Sequence, residues 1–349
     1  MLPPRYFSCD ADIGVLRDID LHLYGQLCAR MPPAHGLRPI PGQISQTESR
    51  MIYHLLARIW NGSGNVLELG TLFGDSTQAL GLGMAANRKR AGCLFAADAF
   101  GAYFPPDEMA AQLEPLLGGR ADWPEILNDF GEHRFLRAFE ALHAEGQPYS
   151  KFLTIRSCLI PVSPAGSATD LRDLIAEAAP LGVVFIDSAK EWYAVRAALI
   201  EIVEHLSPGA LVAWQDHRWF DSFVIPYFNE RFGLHMELLA IGDNMHVYRY
   251  RGGLTAEAIT AELPETPAAL GRDAFRTVFN DIAWRCYLSN DAYGVLSASL
   301  QLAVASASLG DEPVAKALFG AARTLPGFGQ HSHMLNLAER ELSEFLRRG

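Results

Sequence analysis

Cysteine is scarce in this sequence: there are five among 349 residues, and no two of them form a Cys-x-x-Cys pair. An odd, scattered set supports neither a disulfide framework nor a structural zinc site. Such usage is typical of a reducing compartment, and we therefore expect a cytoplasmic protein.

Basic residues are also in short supply, with 29 Lys and Arg against 40 Asp and Glu and a formal net charge of -11. This balance argues against binding of nucleic acid or of an anionic membrane surface. No apolar run is long enough to span a bilayer, and the opening residues MLPPRYFSCDAD lack the basic and apolar stretches of a secretory signal. We expect neither a nucleic-acid partner nor a membrane partner.

What the sequence does contain is an alternation of short apolar runs and helical patterns over 45–252, which is typical of a βαβ protein. We predict a doubly wound, Rossmann-like α/β fold with a mostly parallel sheet of seven strands, the last two forming a hairpin. A segment rich in Pro and Gly precedes it (1–44), and a region of amphipathic helices without strand patterns follows it (253–349). The predicted strands are 65–69, 93–97, 152–156, 182–186, 210–214, 235–240 and 244–250.

Between the second and third predicted strands, at about 101–150, lies an insertion that is too long for an ordinary connection. It either folds over the site or mediates contact between subunits, and the sequence leaves both outcomes open. The C-terminal helices likewise either cap the domain or form a dimer surface, so a homo-oligomer stays open too. His143, on a predicted helix of the insertion, has no evident partner and receives no role.

The turn after the first strand carries the most specific motif of the chain, ELGTLFGDST at 68–77. Its two glycines, Gly70 and Gly74, permit a tight turn from strand to helix. The motif lacks the third glycine of the dinucleotide fingerprint, and Asp75 puts a negative charge where a phosphate would bind. The helix N-terminus instead suits a carboxylate, and Asp98 at the end of the second strand suits the two hydroxyls of a ribose. S-adenosylmethionine (SAM) has both groups and no phosphate.

This run closely resembles motif I of the class I SAM-dependent methyltransferases, in particular the branch of catechol O-methyltransferase-like and macrocin O-methyltransferase-like enzymes. The resemblance covers about residues 40–250. It implies a SAM site with the methionine end at Glu68, Gly70 and the Leu72 backbone, its carboxylate at Ser76, the ribose at Asp98, the adenine near Ser157, and a further contact at Asp187.

Two acids end neighbouring predicted strands, Asp187 after the fourth and Asp216 after the fifth. Parallel strands bring their carboxylates together, and carboxylate oxygens suit Mg²⁺. Lys190 follows Asp187 by one helical turn, so it returns to the same face and can act as a general base. In the enzymes that the motif resembles, two acids and an asparagine hold Mg²⁺ while a lysine removes the acceptor's proton. That implies Asp187, Asp216 and His217 as metal ligands and Lys190 as the base.

His217 departs from that pattern, which usually has asparagine, because imidazole prefers later transition metals to Mg²⁺. Three explanations stay open. The metal differs, or His217 is itself the base, or the dependence on metal has been lost.

These features predict a SAM-dependent O-methyltransferase, aided by a divalent cation, that methylates a hydroxyl of a small-molecule acceptor such as a phenol, a sugar or another secondary metabolite. Two alternatives keep the SAM fold. One is a metal-independent methyltransferase with His217 as the base, and the other is a non-catalytic module that binds a protein partner. A nicotinamide-dependent oxidoreductase is disfavoured by Asp75 and by the missing third glycine.

Overall fold

The computed structural model describes residues 39–101, 103–143, 146–163, 166–188, 190–325, 334–340 and 343. Most of the predicted N-terminal segment 1–44 therefore lies outside the described residues. Within them, no helix is both long enough and apolar enough to cross a bilayer.

The centre of the fold is one seven-stranded sheet with the strand order β3-β2-β1-β4-β5-β7-β6. Strands β1 to β5 pair in parallel, and β7 pairs antiparallel with both β5 and β6. This arrangement confirms the predicted doubly wound, mostly parallel sheet with a terminal hairpin. The strands are β1 Asn65–Leu69, β2 Leu94–Asp98, β3 Leu153–Ser157, β4 Leu181–Ile186, β5 Leu206–Trp214, β6 Met236–Gly242 and β7 Met245–Tyr250.

Helices cover both faces of the sheet and continue beyond it. In chain order they are α1 Gln46–His54 with a π-helical continuation at Leu55–Ile59, α2 Asp75–Ala86, α3 Pro106–Leu117, α4 Trp123–Gly131, α5 Leu136–His143, α6 Thr169–Ala178, α7 Trp192–Val203, α8 Val224–Arg231, α9 Ala256–Glu262, α10 Arg272–Leu288, α11 Ala292–Ser308 and α12 Glu312–Ala322. Short 3₁₀ turns lie at Ser150–Phe152 and Pro267–Ala269.

The apolar runs of the central strands are explained by burial on both faces. All six residues of β4 are buried. Val184 and Ile186 pack into the apolar cluster under α6, α7 and α8, whereas Val183 and Phe185 pack into the cluster under α1 and α2. A strand that is covered on both sides needs apolar residues at every position, so it shows a continuous run and not an alternation.

The insertion folds as the three helices α3, α4 and α5, which share an apolar cluster with the turn after β1. Phe73 of that turn and Phe100, which follows β2, pack in it against Phe135 and Phe139. The insertion therefore lies against the carboxyl ends of β1 and β2, next to the predicted cofactor turn.

The C-terminal helices share the main apolar cluster of the sheet domain. Phe275 of α10 packs against Trp192 and Tyr227, and Leu302 of α11 belongs to the same cluster. Phe220, in the loop after β5, packs with α11 and α12. The helical region therefore contacts the loop that carries Asp216 and His217.

Candidate active site

The turn after β1 is held in a conformation that requires glycine. Gly70 has φ +87°, and a Cβ built there would lie 2.3 Å from the backbone oxygen of Asp187. The Asp98 carboxylate fixes the same turn, because it accepts the backbone N–H groups of Thr71 at 2.7 Å, Leu72 at 3.2 Å and Phe100 at 2.9 Å. The geometry gives Asp98 a structural task besides its predicted contact with a ribose.

The insertion reaches this turn through His143, a residue that sequence reasoning passed over. The expectation that it lacks a partner is wrong. Its buried imidazole lies 2.8 Å from the Phe73 oxygen through Nε2 and 2.9 Å from the Tyr149 hydroxyl through Nδ1. A Cβ on Gly74 would collide with the same ring at 2.1 Å. Both contacts join residues far apart in sequence or across a loop, so the local helical pattern could not reveal them.

Glu68 is fully buried beneath the turn and accepts two hydroxyl hydrogens at the start of α2. Its Oε1 lies 2.6 Å from the Ser76 hydroxyl and its Oε2 lies 2.6 Å from that of Thr77. Burial raises the pKa of Glu68 to about 8, although the two hydroxyl groups act in the opposite direction. The Ser76 hydroxyl is thus directed at Glu68 in this structure, and its contact with a ligand carboxylate stays a prediction.

This pKa shift predicts how the stability of the protein depends on pH. Glu68, and Glu48 with a pKa raised to about 7 by burial, hold their protons in the folded chain at pH values where the unfolded chain has lost them. The free energy of unfolding should therefore fall as the pH rises from about 6.5 to about 8.5, by an amount on the order of 1–2 kcal/mol. Histidines buried as neutral rings oppose this fall near pH 6.5, where their imidazoles are still partly protonated in the unfolded chain, and this opposing effect fades above about pH 7.5.

Urea unfolding at the two ends of that pH range would measure the effect. In Glu68→Gln the fall should be smaller, whereas in Glu114→Gln, at an exposed position on α3, it should equal that of the unsubstituted chain. Equal falls in all three proteins would contradict the assignment of the pKa shift to Glu68.

Two adjoining cavities open at the carboxyl ends of the strands, with volumes of about 1070 and 320 Å³. They share Gly70, Asp98 and Asp187, which are three of the predicted cofactor residues. The smaller cavity is also lined by Leu72 and Ser76. Among its described lining residues three are acids (Asp75, Asp98 and Asp187), and none is lysine, arginine or histidine.

Two predicted cofactor residues lie outside the described lining of both cavities: Glu68, which is buried beneath the turn, and Ser157. Ser157 is exposed at the end of β3, whereas Cys158 and Leu159, which follow it, line the larger cavity. The cavity wall at the end of β3 is therefore formed by Cys158 and Leu159 and not by Ser157.

The far wall of the larger cavity comes from the loop after β5 and from the C-terminal helices. Phe220 and Phe223 line it from the loop, and Val304 and Ser308 line it from α11. Lys190 and Asp216 lie on the lining of the same cavity. This end of the cavity has a mainly apolar surface beside a charged cluster.

The charged cluster consists of Asp187, Asp216 and Lys190. The Lys190 ammonium lies 2.9 Å from Asp187 Oδ1 and 3.2 Å from Asp216 Oδ2. Burial raises the pKa of Asp187. Burial alone would lower the pKa of Lys190, but the two carboxylates raise it above its ordinary value. Lys190 therefore bridges the two acids as a cation in this structure, an arrangement that differs from the neutral amine a general base requires.

Asp216 is held by residues that the sequence motifs did not single out. Its Oδ1 accepts a hydrogen bond of 3.2 Å from the Asn244 amide, and the Tyr293 hydroxyl donates at 2.6 Å to Asn244 Oδ1. Asn244 lies between β6 and β7, and Tyr293 lies on α11. The C-terminal helices thus reach the charged cluster through one side chain.

His217 turns away from the two acids. Its ring is buried, stacks on His246 with 3.7 Å between ring centroids, and lies 3.0 Å from the Tyr248 hydroxyl through Nε2. Its Nδ1 has no hydrogen-bond partner within the described residues. Burial lowers the pKa of His217 to about 3, and the neighbouring Arg218 adds to the shift.

These positions do not fit a divalent cation. An ammonium group lies between the two acids, the third expected ligand faces Tyr248, and the described residues hold no cluster of three or more His, Cys, Asp or Glu side chains able to bind a metal. The predicted metal set is therefore not brought together in this structure.

The loop after β5 is fastened by a buried ion pair. Arg218 pairs with Asp291, which precedes α11 and also accepts the Gly294 N–H at 2.9 Å. On the same helix Ser297 donates to the Arg218 oxygen at 2.6 Å, and Gln301 donates to the His217 oxygen at 2.9 Å. The position of the loop therefore depends on the C-terminal helices.

No protein-family model matches the chain, and no curated relative matches it. It is similar to solved structures described as O-methyltransferases. One, from Bacillus cereus with bound SAH, has 16% identity over 65% of this chain and 88% of that chain, with a TM-score of 0.35. Another, TomG from Streptomyces achromogenes with SAM, has 14% identity over 60% and 82%, with a TM-score of 0.37. A third, NovP, has 15% identity over 66% and 99%, with a TM-score of 0.38. Similarity at these identities and TM-scores does not indicate a function.

Proposed function

We propose that this chain is a SAM-dependent methyltransferase that acts on a hydroxyl of a small molecule. The observation that carries the proposal is the smaller cavity beside Gly70, which adjoins the larger one and is lined by Asp75, Asp98 and Asp187 without a basic residue among its described lining. A negative cavity attracts a sulfonium and an amino group and repels a pyrophosphate. SAM carries both cationic groups, whereas nicotinamide dinucleotides carry a pyrophosphate.

The residues present fit this donor. Gly70, Leu72 and Ser76 would hold the amino-acid end, and Asp98 would hold the ribose. Cys158 and Leu159 offer an apolar wall for the adenine. When bound, SAM supplies an electrophilic methyl group. The work of the protein is then to position the acceptor oxygen on the line of displacement and to exclude water.

The acceptor would occupy the other end of the larger cavity. Phe220, Phe223 and Val304 give this end apolar walls, and Lys190 and Asp216 give it charge. Such a lining suits a partly apolar molecule with a hydroxyl at its inner end. We propose a phenolic, sugar-bearing or similar secondary-metabolite acceptor on this basis.

The alternative with His217 as the base gains no support from the geometry. The ring is buried against His246 and Tyr248 and does not belong to the described lining of either cavity. A general base must lie within hydrogen-bond reach of the proton that it removes.

Titration calorimetry with S-adenosylhomocysteine, the product form of the donor, tests the proposal. We expect saturable binding of one molecule per chain and no binding of NAD⁺ under the same conditions. Binding of NAD⁺ without binding of S-adenosylhomocysteine would overturn the proposal in favour of an oxidoreductase. Transfer of labelled methyl groups from SAM to a panel of phenols and sugars would then separate an enzyme from a non-catalytic module.

A further inference from the structure

The position between Asp187 and Asp216 is where the resembling enzymes would hold a divalent cation, and in this chain it contains a side chain. The Lys190 ammonium lies 2.9 Å from one carboxylate and 3.2 Å from the other. The three side chains are largely buried, with 19–27% of their surface exposed. A buried pair of acids needs a positive charge nearby, and Lys190 supplies it.

The backbone builds this arrangement. Ile186 and Trp214 are partners in the β4–β5 register, so Asp187 and Asp216 leave neighbouring strands at nearly the same level. Asp216 adopts φ +56°, a left-handed conformation that few residues other than Gly, Asn and Asp tolerate. That conformation belongs to the turn that brings its carboxylate to Lys190.

Asp216 also accepts a hydrogen bond from a side chain other than Lys190. Asp216 Oδ1 accepts from the Asn244 amide, and the Tyr293 hydroxyl fixes the orientation of that amide by donating to its oxygen. Mg²⁺ and Mn²⁺ require several oxygen ligands in regular geometry. To bind here, a metal ion would have to displace the ammonium group.

We propose that Lys190 replaces the divalent cation of the resembling enzymes, so that the acceptor is activated by a lysine and two carboxylates without a metal. This inference rests on the proposed function. The ammonium holds the acceptor oxygen and stabilises negative charge that develops on it. An ammonium group held between two carboxylates has no lone pair to receive a proton, so Lys190 does not act as the base.

The methyl-transfer step then balances without a further reactant. The acceptor oxygen forms a bond to the methyl carbon while the bond between that carbon and sulfur breaks, and the electron pair of the broken bond remains on sulfur. The proton of the acceptor hydroxyl passes to the Asp216 carboxylate and from there to water. The products are the methyl ether, S-adenosylhomocysteine and a proton.

Mn²⁺ titration followed by electron paramagnetic resonance tests this inference without any knowledge of the acceptor. We expect Lys190→Ala, which leaves the two carboxylates without their cation, to bind Mn²⁺ at least about tenfold more tightly than the unsubstituted chain. Lys190→Arg keeps a cation and should bind as weakly as the unsubstituted chain. Adding Asp187→Asn to Lys190→Ala should abolish the gained binding.

The inference is overturned if the unsubstituted chain binds Mn²⁺ as tightly as Lys190→Ala, or if neither protein binds it. Circular dichroism of each variant shows whether it is folded. Calorimetry of the unsubstituted chain with S-adenosylhomocysteine reports on the proposed function separately. Absence of that binding would remove the methyltransferase, whereas the Mn²⁺ comparison would still decide whether Lys190 fills a cation site.

Discussion

Gly70→Ala is expected to abolish binding of S-adenosylhomocysteine and to lower the free energy of unfolding by roughly 2–4 kcal/mol. The new methyl group would meet the backbone of Asp187 and Ser188, at 2.3 Å from the Asp187 oxygen, and neither group is the end of a flexible side chain. Relief requires β1 and β4 to separate at their carboxyl ends, which displaces both the turn and Asp187. Calorimetry and urea unfolding measure the two effects.

Gly209→Ala is the matched control for that substitution. Gly209 has φ +90°, close to the φ +87° of Gly70, but a Cβ added there meets no atom within 4 Å. It should therefore cost only about 1–2 kcal/mol, from the left-handed backbone, and leave ligand binding unchanged. If the two substitutions had equal effects on stability and binding, the close contact with Asp187 would not be the cause.

Asp291→Ala is expected to have the second large effect, a loss of about 3–5 kcal/mol in the free energy of unfolding. It would leave the buried Arg218 guanidinium without its carboxylate and would also remove the side chain that caps α11. The loop after β5 would lose its anchor, so the region around Asp216 should become more accessible to proteases.

Asp311→Ala is the control that distinguishes the two losses in Asp291→Ala, the buried ion pair and the cap of the helix. Asp311 caps α12 in the same way, by accepting the Val314 N–H, but its ion pair with Arg272 lies in a more exposed position. The control should cost about 1 kcal/mol. A loss as large as that of Asp291→Ala would show that capping, and not the buried charge, dominates at both sites.

The sheet could be predicted because each of its strands carries a local signal. Apolar runs that end at or just before Asp98, Asp187 and Asp216 predicted the strands. They also predicted the edge of the sheet at which the cavities lie. The turn at Gly70 could also be predicted, because two glycines just before the start of a helix are typical of a tight turn from strand to helix. These features depend on residues that are close together in sequence.

The details of the charged cluster could not be predicted, because they depend on contacts between distant segments. Asp216 is held by Asn244 and through it by Tyr293, and Arg218 is held by Asp291. Nothing in the local pattern around these residues reveals their partners. Lys190 was predicted next to Asp187, but only the positions of both strands show that it bridges two acids.

A crystal structure of the chain with S-adenosylhomocysteine would test the central claim most directly. We predict the homocysteine end beside Gly70 and Ser76, the ribose hydroxyls at Asp98, and the sulfur facing the space next to Lys190 and Asp216. A ligand bound elsewhere, or crystals soaked with ligand in which both cavities stay empty, would contradict a SAM-dependent methyltransferase.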